Sequence, residues 1–188
     1  MNEIKKAREM RVRLASSVNF FISNSDALNE AGDCLEWEDF EKIPEWYMWN
    51  EDKIQHLVLV AGTVFLVPTI RLWIEATKIS RVKNLIGGNV YEFIMQYTQI
   101  DNSPEMQIDM DNLHSVMMSA GASVLMSSQE ARLRPWLISK LPEAKGKLNR
   151  KIANELMNHT LFVLSQTDTV VEKEQYKEKS ESEGVEVS

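Results

Sequence analysis

Asp109, Asp111 and His114 fall together in the run DMDNLH of this 188-residue chain. Carboxylates and an imidazole are metal-ligand types, and a divalent cation would need several of them to converge. Asp109 and Asp111, however, are two apart where a helix is predicted to begin. There a carboxylate accepts from free first-turn amides and complements the positive end of the helix dipole. Capping is the better reading. His56 and His159 are remote in sequence, and His159 falls on an apolar stripe. It reads as a core imidazole, because a general base needs partners within reach. The single thiol, Cys34, is flanked by Asp33 and Glu36, and neighbouring carboxylates disfavour a reactive thiolate. No phosphate loop, nucleotide-binding glycine motif, nucleophile elbow or metalloprotease motif occurs. The residues capable of chemistry therefore predict a non-enzyme with no metal and no cofactor.

What the polar residues do show is segregation. The net charge of -7 is the sum of unlike segments. Residues 1–13 carry +3, residues 14–29 carry -1, residues 30–52 carry -8, residues 53–167 carry +3 and residues 168–188 carry -4. An acidic total argues against a dedicated nucleic-acid binder. Segregated charge suits protein partners, since it steers association and sets orientation. Two candidate contact regions stand out. One is the acidic, aromatic segment with Glu36, Trp37, Asp39, Trp46 and Trp49. The other is a basic stretch with Arg132, Arg134, Lys140, Lys145 and Lys147. Aromatic side chains anchor interfaces, but the same tryptophans also serve as core. Ten methionines fit core gap-filling, or an adaptable contact surface.

These residues need elements to hold them. One cysteine excludes a disulfide framework, and few glycines or prolines favour helices over a sandwich or barrel. The spacing predicts a basic helix within 1–23, a core helix from Ile54 to Ile79, and helical pattern over 81–100 interrupted at Gly87-Gly88. Asp101 to Pro104 is a predicted turn. Further helices are predicted over 108–128 and 144–165, with a short one over 129–141 broken by Pro135. Leu57–Ile70 is the most apolar run, shorter than the ~20 residues of a bilayer span. It reads as a buried helix. Gly62 and Gly121 mark close helix crossings, and Pro68 costs about 3 kcal/mol in a helix interior. The expectation is an all-α, compact single-domain bundle of about six or more helices over 1–166, with a disordered acidic tail over 167–188. The absence of a signal-peptide pattern and the lone thiol point to the cytoplasm.

Over about 54–142 the sequence resembles the SctK family (YscK and PscK are members), accessory proteins of the type III secretion sorting platform. The matching landmarks are HLVLVAGTVFLVPTIRLWI with Gly62, Ile70 and Arg71, then RVKNLIGGNVYEFIMQY. They continue with SAGASVLMSS around Gly121 and RPWLISKLP with Trp136, Lys140, Leu141 and Pro142. The resemblance implies a non-enzymatic adaptor in the cytoplasm of a Gram-negative bacterium, peripheral to the inner membrane at the injectisome. It would link the cytoplasmic domain of the SctD-type inner-membrane ring protein to the SctQ-type pod protein. No nucleic acid and no direct membrane span are implied. Two other classes fit the residues: a helical regulator holding a small ligand in an apolar cavity, and a secretion chaperone, which usually mixes helix and sheet.

Overall fold

A computed structural model of the chain describes residues 42–97, 108–138 and 140–183, with single positions at 12, 15 and 39. Among the described residues six α-helices occur in this order: α1 (Glu51–Ile70), α2 (Ala76–Ile86), α3 (Gly88–Tyr97), α4 (Leu113–Ser128), α5 (Arg134–Ile138) and α6 (Arg150–Glu183). Short 3-10 turns stand at Glu45–Met48 and Met110–Asn112. No strand occurs among the described residues, so the chain is all-α. Five of the helices have ten residues or more and make the body. Among the described residues the count of body helices is thus slightly lower than expected, since α5 is little more than one turn. The basic helix expected in 1–23 and the turn at Asp101–Pro104 lie outside the described residues, except for Val12 and Ala15.

α1 is the axis of the bundle. Asn50 caps it, its side chain accepting from the Lys53 amide at 2.9 Å, and Glu51 and Asp52 occupy the first turn. By length and composition it could cross a membrane, yet most of its apolar stretch is buried inside the protein. Leu57, Val58, Val60, Ala61, Val64 and Val67 are sealed on successive faces. A helix apolar all round needs neighbours all round. α4 supplies the largest contact, α6 packs on both α1 and α4, and the α2–α3 pair covers the remaining side.

Gly62 and Gly121 are where α1 and α4 meet, as their spacing predicts. A Cβ on Gly62 would stand 2.8 Å from the Met117 carbonyl carbon and closer still to its oxygen. A Cβ on Gly121 would meet the Val58 carbonyl in the same way, and the Gly62 nitrogen at 3.0 Å. The obstacles are backbone atoms, so no rotamer change makes room.

The helix predicted from Ile54 to Ile79 ends instead at Ile70. Pro68 stays inside it, near the end, where its missing amide costs the ladder one bond. Residues 71–75 then form a connection, with Leu72 59% and Ile74 95% exposed. Apolar spacing carries on in phase across this break, and no glycine or proline marks it. At the break Arg71 donates to the Met95 carbonyl of α3 at 2.9 Å, and Glu75 pairs with Lys78 at 2.6 Å. Gly87, with φ +93°, ends α2 and lets α3 start at once, as the Gly-Gly pair predicts. Pro135 breaks nothing. It sits in the first turn of α5, where a missing amide is harmless.

The last helix starts later than predicted, at Arg150 rather than near 144. Residues 142–149 are irregular, and three of their amides are bound by side chains of α4. Lys145, Gly146 and Leu148 donate to the hydroxyls of Ser119, Ser123 and Ser127 at 3.2, 3.3 and 3.0 Å. Pro142 opens this segment half-buried, and Asn149 closes it, its carboxamide oxygen accepting from the Lys151 amide at 2.9 Å. The α6 backbone continues to Glu183. Its last described buried side chain is Thr167, the boundary the sequence assigns to the tail.

The crossing makes a sharp demand on volume. Gly-to-Ala in an ordinary helix interior stabilises by about 1 kcal/mol, whereas overpacking costs about 1–3 kcal/mol or more. Gly62→Ala and Gly121→Ala should each lower stability by about 3 kcal/mol, read as urea midpoints. A neutral or stabilising effect would refute the contact.

Candidate functional site

The two regions expected to face partners fold onto one another. Asp39 is 3% exposed and pairs with Arg132, whose Nε lies 3.3 Å from its carboxylate. Lys42 pairs with Glu130 at 3.3 Å, and Arg150 reaches the same carboxylate at 3.4 Å. The Lys140 ammonium donates to the Tyr47 carbonyl at 3.0 Å and stands 4.8 Å over the Tyr47 ring. Trp46, 2% exposed, meets Tyr47 edge-on at 6.3 Å between centroids. Arg134 directs its guanidinium back to the Gln129 carbonyl, with Nε at 3.2 Å and a terminal nitrogen at 3.1 Å. Acid meets base across the body, and the result is a clasp between residues 39–49 and the 129–150 region.

That arrangement sorts the candidate contact residues. Asp39 and Trp46 are part of the fold. Arg132, Arg134 and Lys140 are engaged with the body. Trp49 is half-buried and borders a cleft, while Lys145 and Lys147 are exposed. Glu36 and Trp37 lie outside the described residues, and Trp136 is described in its backbone only. Charge composition could locate both halves of the clasp, but not that they meet. The serines of α4 hold the segment at 145–148, and their spacing of four is the sequence signal that marks them.

Electrostatics follow from the packing. Hydrogen bonds from Lys42 and then Arg150 hold the Glu130 carboxyl below its ordinary value. Burial lowers the Lys140 ammonium. Burial likewise lowers the His159 imidazole, which is half-buried with its ring 6.4 Å from that of Phe162. Asp109 caps its turn, accepting from the Asp111 amide and the Asn112 side chain, each at 3.2 Å. Among the described residues no three His, Cys, Asp or Glu side chains are grouped to hold a metal ion.

Compared with protein-family models, curated proteins and solved structures, the chain matches none. The sequence landmarks have definite places: Gly62 and Gly121 at the α1–α4 crossing, Arg71 on the end of α3, Pro142 at the entry to the serine-bound segment.

Two tests address the clasp and the half-buried imidazole. A double-mutant cycle on Asp39→Ala and Arg132→Ala should return a coupling of about 1 kcal/mol, because Arg132 remains partly solvated. Additive effects would remove the pair as a stabilising contact. His159 has a folded value depressed below the ordinary 6.5, so its contribution is full above that value and is lost as pH falls through the folded one. Glu130 is depressed as well and acts in the same direction at lower pH. Melting curves at neutral and mildly acidic pH should show a drop that is smaller in His159→Gln. An equal drop would assign the sensitivity elsewhere.

Proposed function

We propose that this chain is a non-enzymatic adaptor of the type III secretion sorting platform, of the SctK type. In that role it joins the cytoplasmic domain of the SctD-type ring protein to the SctQ-type pod protein beneath the inner membrane of a Gram-negative bacterium. One observation carries the reading: the glycine and arginine landmarks of the family resemblance are the contact points of the helical frame. Gly62 and Gly121 set the α1–α4 crossing, and Arg71 ties the end of α1 to α3.

The geometry also suits a connector. An adaptor must hold two partners in fixed relation, which favours a stiff body whose contacts are determined by backbone. Lys145 and Lys147 stand exposed on the segment beside α4. Exposed cations of this kind favour encounter with an acidic partner surface and contribute more to rate and orientation than to affinity.

A second reading has one observation in its favour. A cleft of about 240 Å³ lies between α1, α4 and the serine-bound segment, lined by Phe65, Val116, Ala120 and Leu148 with Lys145. An apolar wall with one cation suits a small apolar acid, as a helical regulatory domain would bind. The chaperone alternative has less support, since no strand occurs among the described residues.

Co-purification decides between them. The adaptor should retain both the ring-protein cytoplasmic domain and the pod protein at about micromolar concentration. Lys145→Glu with Lys147→Glu should slow association with one of them and leave Tm unchanged. Retention of neither partner, with a small apolar acid raising Tm through linkage, would replace the adaptor by the ligand-binding reading.

A further inference from the structure

A second cleft, of about 290 Å³, lies where the Glu45–Met48 turn meets α6. Its lining is unlike that of the apolar cleft. Trp46, Met157 and Leu161 make an apolar floor, and Trp49 stands half-buried at the side. On the rim are Glu45, Asn154 and Asn158, all exposed. None of these three side chains makes a hydrogen bond or ion pair among the described residues. The volume lies at the lower edge of the roughly 300–1,000 Å³ of ligand pockets. It suits the side chains of a short stretch of polypeptide.

We propose that this cleft holds an extended peptide segment of a partner protein, gripped through its main chain by Asn154 and Asn158 and selected for a basic side chain by Glu45 and Trp49. The first argument is chemical. A carboxamide offers both an acceptor and donors, the complement of the C=O and N–H of one peptide unit. The second is geometric. Asn154 and Asn158 are four apart on α6, a rise of about 6 Å along the helix. An extended chain repeats every two residues, about 6.6–6.8 Å. Two carboxamides at that spacing match successive peptide units that face the same way. Alternate side chains then point into the cleft, over Trp49 and the apolar floor.

The third argument is charge. Glu45 has no cation partner among the described residues, whereas Glu130 is neutralised twice. A lysine or arginine entering beside Trp49 would meet that carboxylate and could stack on the indole face. A saccharide would also use an aromatic wall and amides, but it brings no cation for Glu45. This inference rests on the cleft alone and is independent of the adaptor reading.

The test uses the full chain and a fluorescein-labelled octapeptide of alternating Lys and Val, read by anisotropy. The octapeptide should bind, and one of alternating Glu and Val should bind at least about tenfold more weakly. Asn154→Ala with Asn158→Ala should weaken binding about tenfold, as loss of several hydrogen bonds implies. It should not lower Tm, since both positions are exposed and Ala is the better helix former. Glu45→Gln should weaken the Lys peptide and leave a Thr-Val peptide unaffected. N-methylation of alternate peptide amides should abolish binding while keeping every charge. No binding, equal binding of the Glu peptide, or indifference to both the Asn substitutions and N-methylation would overturn the proposal. So would displacement of the peptide by a soluble oligosaccharide.

Discussion

Where α1 crosses α4, the Gly62 and Gly121 backbones meet the opposing carbonyls of Met117 and Val58 with no side chain between them. The separation of these two helices is therefore set by main-chain atoms, which do not adjust by changing rotamer. Other large contacts are built outward from that pair. α6 packs against both helices at once, and Leu156 and Val163 are sealed in the body. The α2–α3 pair then closes the side of α1 that α4 and α6 leave open. A change of spacing at the crossing would be passed to each of these layers, because close-packed interiors transmit strain.

Charge acts on a second level, in the periphery. A net charge of -7 suggests a surface uniformly short of cations. Instead, part of the acidic segment is used inside the molecule, with Asp39 buried against Arg132 and Lys42 meeting Glu130. Removing a partner from a buried carboxylate is costly because the remaining charge loses its compensation. The clasp thus fixes which acids and bases are left for other molecules. Lys145 and Lys147 remain exposed on one side, and Glu45 beside Trp49 on another.

Features decided by a single residue's shape were legible in sequence. Gly62 and Gly121 mark a contact that excludes a Cβ, Gly87 a backbone angle that favours glycine, and Asp109 a cap within reach of its own turn. The buried tryptophan at 46 agrees with the core alternative that its type allows. Features decided between distant segments were not legible. The apolar rhythm continues in phase through Leu72, Ala76 and Ile79, so spacing alone does not show that α1 ends at Ile70, beside the contact of Arg71 with the Met95 carbonyl. Residues 144–149 carry a tolerable helical pattern, yet Ser119, Ser123 and Ser127 offer their amides another set of acceptors. The acidic and basic segments were each visible by composition, while their pairing needed the fold to bring them together.

The serine-bound segment has a consequence for how opening of this protein would be detected. Irregular backbone normally exchanges its amide hydrogens quickly, because little protects them. Here Lys145, Gly146 and Leu148 donate to hydroxyls on a helix face, and Ser123 also donates to its own helix at 2.8 Å. Those three amides are released only when the segment lifts from α4. A stretch without regular secondary structure thus becomes a reporter of separation at that seam, and its protection measures the seam rather than any local helix.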